Sequence, residues 1–187
     1  MSTEPVYVSL EFTPNPNTLK YSINRTVLSS GSLSFSREKL EEAQQSAELA
    51  FEILQNVGID SVMLGRDFVT ITKGEESDWE DVHSSTTSLI KAFFEAGRVP
   101  AVESEVVATD SGSEVEKKIQ DIINAEIRPA VAMDGGDILF SHFSDGVVYV
   151  ELSGSCAGCP SATATLKMGV ENRLREMIPE VKEVVSV

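Results

Sequence analysis

At 187 residues the chain suits one medium domain or two small ones, and 41% hydrophobic with 24% charged residues is ordinary for a globular protein. A net charge of −15 repels phosphate backbones and anionic bilayers, so neither nucleic acid nor a membrane is an expected partner. No apolar run approaches the ~20 residues of a bilayer span, and residues 1–10 carry no basic or long apolar leader, so the expected location is cytoplasmic.

Residues 6–12 alternate in polarity as a strand does, and residues 13–17, Thr-Pro-Asn-Pro-Asn, are dense in turn formers. A second strand is expected over 19–23, then a polar, serine-rich loop over 25–36. Leu40, Ala43, Ala47, Ala50, Phe51 and Leu54 keep a helical period, which predicts one helix from residue 36 or 37 to 56, stopped by Gly58. Strands follow over 61–64 and 68–72, joined by a Gly65-Arg66-Asp67 turn. Ser77 and Glu80 stand at capping-box spacing for a second helix ending at Gly97. Trp79, beside Asp78, reads as a half-buried anchor at its start. The first domain is thus expected over 1–98, with a linker over 99–112 that lacks helical period and holds Pro100, three acids, Ser111 and Gly112.

The second domain, 113–187, opens on a cap-like Ser113-Glu114-Val115-Glu116, and Val115, Ile119, Ile122, Ile123 and Ile127 form an apolar stripe up to Pro129. Met133-Asp134-Gly135-Gly136-Asp137 is a tight turn, where Gly135 and Gly136 suit a positive φ or a close backbone approach. Strands over 138–143 and 147–152 meet across Ser144-Asp145-Gly146, a hairpin signal. A last helix runs from Pro160 to about Ile178, and residues 181–187 add a short strand. The fold class is therefore α+β: two small α/β-sandwich-like domains, the second in the order α-β-β-(CxxC)-α-β.

Cys156 and Cys159 are the only cysteines, and they lie between the hairpin and the last helix. Three chemistries suit two thiols there. A dithiol–disulfide redox pair would use the helix N-terminus to acidify one thiol, although such pairs usually sit in a βαβ setting. A metal or iron–sulfur site needs about four ligands, and one chain supplies two soft ones, so two chains about a twofold axis would complete it. An inert buried pair fits poorly with Gly154, Ser155, Ala157, Gly158 and Pro160 around the cysteines. His83 and His142 are isolated and read as packed or surface residues, and Lys167 as a solvated charge that has a second reading as a counter-charge to a cluster.

The ordered set Asp134-Gly135-Gly136-Asp137, Gly154-Ser155-Cys156-Ala157-Gly158-Cys159-Pro160-Ser161, Thr165 to Glu171 and Ile178-Pro179-Glu180-Val181 resembles the Nfu-type, NifU C-terminal-like iron–sulfur domain over nearly all of 113–187. Phe12 to Lys20, Gly65 to Lys73 and Asp78-Trp79 resemble the Nfu N-terminal domain. The resemblance implies a carrier rather than an enzyme. It implies a homodimer that holds a [4Fe–4S] cluster, rather than [2Fe–2S], through Cys156 and Cys159 of each subunit. The cluster would pass to apo iron–sulfur client proteins, with cluster-assembly factors as further partners. The sequence departs from the family at Ala157 and Gly158, where serines are frequent; hydroxyl contacts to sulfur are lost, but no ligand is.

Overall fold

A computed structural model describes residues 4–102, 113–157 and 160–187; Cys159 and most of the expected linker lie outside them. The chain divides into two compact units, Met1–Ser104 and Glu105–Val187.

The first unit is built on five antiparallel strands: β1 (Val8–Phe12), β2 (Thr18–Ile23), β3 (Leu33–Ser36), β4 (Ile59–Leu64) and β5 (Phe68–Lys73), in the spatial order β1-β2-β5-β4-β3. Period-two alternation puts Leu19, Tyr21, Ile23, Val69, Ile71, Val62 and Leu64 on one buried face. Helices α1 (Leu40–Ser46), α2 (Glu48–Leu54) and α3 (Trp79–Glu95) supply Ala43, Leu49, Ile53, Val82, Ile90 and Phe93 to the same core. Among the described residues, no helix is long and apolar enough to cross a membrane.

Three expectations are corrected here. β3 falls within the stretch read as loop, because Phe35 pairs with Val62 and is buried on the sheet. The single long helix is broken at Ala47, whose φ of −147° and ψ of 85° are not helical. That break leaves backbone groups open, and residues 100–102 use them: the Leu49 N–H donates to the Pro100 carbonyl (3.1 Å), and the Val102 N–H donates to the Ser46 carbonyl (2.8 Å). Ala101 is buried between them, so the segment from Pro100 to Val102 is part of the first unit rather than of a linker. Third, Asp78 rather than Ser77 caps α3, and no side-chain cap bond forms. Ser77 is packed against Gly58 instead, where a Cβ on residue 58 would meet its Oγ at 2.7 Å.

The second unit starts with α4 (Glu114–Ile122), which has the expected capping box: Ser113 Oγ accepts from the Glu116 N–H (3.3 Å), and a Glu116 carboxylate oxygen accepts from the Ser113 N–H (2.7 Å). The helix does not stop at Pro129. A π-turn over Ile123–Ile127 leads into α5 (Arg128–Met133), with the Arg128 N–H donating to the Ile123 carbonyl, five residues back. The wider turn falls just ahead of Pro129, which has no N–H for a regular ladder, and so the helix continues through it. Then come β6 (Gly136–Ser144), β7 (Val147–Gly154), α6 (Pro160–Met177) and β8 (Glu183–Ser186). β6 and β7 are an antiparallel hairpin turning on Asp145 and Gly146, both at positive φ (54° and 89°), and β8 pairs in parallel with β7. A register shift between Phe140 and His142 breaks the alternation expected along β6, and His142 is exposed. Ile119, Ile123, Val131, Ile138, Val148, Val150, Val170, Leu174 and Val184 form the core of this unit.

Candidate functional site

The hairpin determines where Cys156 lies. Gly136 opens β6 opposite Gly154, which closes β7, so both glycines stand at the end away from the Asp145-Gly146 turn. Gly135 (φ 76°) reverses the chain out of α5, and Gly154 (φ 62°) turns it out of β7; both are left-handed positions that favour glycine. The Ser155 N–H donates to the Gly135 carbonyl (3.1 Å), and the Ala157 N–H donates to the Gly154 carbonyl (3.1 Å). These bonds fold Cys156 back against β6. A Cβ on residue 136 would stand 2.3 Å from Cys156 Sγ, so the sulfur occupies space that only glycine leaves open.

Cys156 is 8% exposed and joins the apolar core of the second unit. Burial pushes its thiol up from the ordinary range; the Ser155 hydroxyl, 3.9 Å from Sγ, works against that rise, and the charges of Asp134 and Asp137 add to it. Among the described residues desolvation is the largest influence on Cys156, and it disfavours the thiolate, opposite in direction to the acidification that a redox pair would draw from the helix N-terminus. Cys159 lies outside the described residues.

Arg128 is a residue that sequence reading missed. Its Nε donates to Asp137 Oδ1 (2.8 Å) and its Nη2 to Asp137 Oδ2 (2.6 Å), a bidentate fork on a carboxylate whose residue is only 4% exposed. Asp137 Oδ1 also accepts from the Ile138 N–H (2.8 Å). The pair fastens α5 to the start of β6, directly beside Gly136. The available signal was the second aspartate of Asp134-Gly135-Gly136-Asp137, but an expected helix end at Pro129 hid its partner.

The other candidates are elsewhere. His83 stacks on Tyr21 in the first unit, and its Nδ1 lies 3.3 Å from the Tyr21 hydroxyl. His142 stacks on Tyr149 at a centroid distance of 4.1 Å on the outside of the hairpin. Lys167 pairs with Glu183 (3.2 Å). Residues 13–17 form a tied turn: Thr13 Oγ1 donates to the carbonyls of Asn15 and Thr18, and the Trp79 indole donates to the Pro16 carbonyl (3.1 Å). Among the described residues, no three His, Cys, Asp or Glu side chains converge as a metal site.

Two α+β units, the second presenting a cysteine loop between a hairpin and a helix, define the class of protein. The NifU-like domain family matches residues 119–185, and the family described as scaffold protein Nfu/NifU N terminal matches residues 8–97. The chain is 36% identical over 187 residues to human "NFU1 iron-sulfur cluster scaffold homolog, mitochondrial", covering 97% of this chain and 72% of that protein. It is 34% identical to the protein of the same name from Drosophila persimilis, covering 97% of this chain and 65% of that one. The solution NMR structure of a NifU-like protein from Saccharomyces cerevisiae covers 55% of this chain and 92% of its own, with 25% identity and a TM-score of 0.48. The chain belongs to the Nfu family of scaffold proteins.

One expectation does not survive these matches. A cytoplasmic location was read from residues 1–10, yet these relatives carry "mitochondrial" in their names. Addresses of that kind are written in removable segments rather than in folded domains, so the composition of two folded units does not report a compartment.

Proposed function

We propose that this chain is an iron–sulfur cluster carrier: two copies hold one [4Fe–4S] cluster through Cys156 and Cys159 of each, and pass it to apo-proteins. The cluster is cargo, and the chain is a carrier rather than an enzyme. The observation that supports this most is Cys156 seated against Gly136 at the open end of a hairpin, in a chain whose two units both match the Nfu family.

The donor set fits the cargo. Thiolates are soft ligands suited to iron–sulfur clusters, and a chain with two cysteines reaches four sulfurs by pairing with a second copy. The two-chain site would be taken apart by separating the copies, which suits a carrier. Without cargo, the buried neutral thiol of Cys156 is the stable form. Ligation takes the proton off sulfur, so loading releases protons. Delivery is ligand exchange: an acceptor thiolate bonds to an iron, the Cys156 or Cys159 sulfur leaves that iron and takes up a proton, and no net electron transfer is needed.

A dithiol redox role is not favoured. Redox cysteines attack as thiolates and sit where their acidity is enhanced, whereas burial makes Cys156 less acidic. A zinc ion bridging two copies would use the same four sulfurs but bring no iron and no sulfide, so metal and sulfide content separate it from the cluster.

The first unit carries no cysteine and is assigned recognition of clients or assembly factors. Cluster transfer tests the whole reading. Loaded chain mixed anaerobically with an apo-acceptor of a [4Fe–4S] cluster should activate it in the presence of an iron chelator, faster than iron and sulfide in solution do. Activation that the chelator abolishes would mean release into solution rather than delivery. If a chain lacking residues 1–98 served every acceptor as fast as the full chain, the recognition role would be wrong.

A further inference from the structure

The hydroxyl of Ser155 is buried beside the Cys156 sulfur. Ser155 is 2% exposed, and its N–H is tied to the Gly135 carbonyl (3.1 Å), which fixes the residue in place. Its Oγ lies 3.9 Å from Cys156 Sγ and 3.1 Å from where a Cβ on residue 136 would stand. Oxygen and sulfur therefore share the space that Gly136 leaves open. Buried polar groups need hydrogen-bond partners. Among the described residues, the partner of this hydroxyl is that sulfur. The two positions between the cysteines, Ala157 and Gly158, carry no hydroxyl, so Ser155 supplies from one residue ahead what they lack.

What the contact does depends on the state of the sulfur. A neutral thiol is a weak donor and a weak acceptor, and a separation of 3.9 Å is that of a weak bond in which either group can donate. A sulfur bonded to iron has lost its proton, so only the hydroxyl can then donate. Hydrogen bonds to an ionised acceptor are shorter and roughly twice as strong. The charge on sulfur is greatest when Cys156 parts from iron, because metal no longer shares it. A donor already aimed at charge that develops in a step lowers the barrier to that step. Burial and the charges of Asp134 and Asp137 oppose negative charge on Sγ, and the Ser155 hydroxyl favours it.

We propose that Ser155 governs how readily Cys156 lets go of the cluster: its hydroxyl donates to Sγ while the sulfur is bound to iron, and more strongly as the sulfur departs. In the exchange an acceptor thiolate forms a bond to iron, and Cys156 Sγ leaves with the electron pair of its own bond to iron. The sulfur takes up a proton from solvent, to which the acceptor thiol had given one, and nothing is oxidised or reduced. Ser155 keeps its proton throughout. The inference rests on the cargo reading above and adds to its ligands a residue that acts on one of them.

The test is Ser155→Ala, which removes the hydroxyl and little volume and so leaves the fold intact. One arm needs no iron. In the apo-chain carrying Cys159→Ala, Cys156 is the one thiol, and its S–H stretching band in the Raman spectrum should move when Ser155→Ala is added. An unmoved band would overturn the contact itself. The other arm uses the loaded full chain. Ser155→Ala should pass its cluster to an apo-acceptor about fivefold more slowly. The bound cluster should also have a lower reduction potential, because a hydrogen bond to a cluster sulfur favours the reduced form. Ser155→Thr, which keeps the hydroxyl, should restore both. Without an acceptor, the alanine variant should keep its cluster as long as the parent does. A serine that only filled space would give the opposite pattern: its loss would loosen the seat, and the cluster would be shed sooner and passed on no more slowly. That pattern, or an equal transfer rate with an unchanged potential, would overturn the proposal while leaving the carrier reading in place. A parent chain that takes up no cluster would instead overturn the cargo reading, and this inference with it.

Discussion

Gly136 and Cys156 are in contact across the end of the β6–β7 hairpin, with 2.3 Å between Cys156 Sγ and the place a Cβ on residue 136 would take. A side chain cannot be added at residue 136 without moving the sulfur. Gly136→Ala therefore drives the sulfur out of its seat, at a cost of about 1–3 kcal/mol for overpacking a core site. Urea denaturation of the apo-chain should show that loss. Alkylation of Cys156 in the folded variant should be faster than in the parent, because the thiol becomes exposed. An unchanged alkylation rate would show that the seat does not shield the sulfur.

Arg128 and Asp137 yield a second prediction. Removing the guanidinium with Arg128→Met leaves a nearly buried carboxylate, still accepting from the Ile138 N–H, without its countercharge, and should cost about 3 kcal/mol, toward the low end for breaking a buried pair because Arg128 is partly exposed. Arg128→Lys keeps the charge but not the bidentate fork, and should cost about 1–2 kcal/mol. Denaturation midpoints at constant m-value measure both. Equal losses would mean that charge alone, not the fork, matters here.

The pH dependence centres on Tyr21, which is fully buried in the first unit; burial raises its phenol to about 12 from 10.0. The unfolded chain gives up this proton near 10 while the folded chain keeps it. The stability contributed by the neutral phenol is therefore whole below pH 10 and is lost as the pH climbs through 12. Tyr21→Phe should flatten the fall in melting temperature over that window. The same slope in parent and variant would remove Tyr21 as its cause.

Much of the chain was legible from short-range signals. Ser113 and Glu116 form the box that their spacing describes, and Asp145-Gly146 makes the turn that its φ values require, because both depend on neighbours within a few residues. Gly135 and Gly136 were read as a positive-φ or close-approach pair, and each turns out to serve one of those purposes. The failures involve distant partners or an altered local geometry. The break at Ala47 is met by residues 100–102, some fifty residues on, and no local period announces it. The helix passes Pro129 because a π-turn precedes it, and an apolar stripe looks much the same with or without one extra residue. The burial of Cys156 was not foreseen, because a small-residue loop suggested exposure, whereas hydrogen bonds from 155 and 157 fold the sulfur inward.

The most direct measurement of the central claim is the iron content and solution mass of the chain after anaerobic reconstitution with iron and sulfide. The account predicts a species of two chains holding about four irons and four sulfides, with the Mössbauer signature of a [4Fe–4S] cluster. It also predicts a return to apo-chain once the cluster has passed to an apo-acceptor, and no such species from Cys156→Ala. A loaded form of one chain, a zinc-only dimer, or an iron-free chain with a stable Cys156–Cys159 disulfide and reductase activity would contradict it.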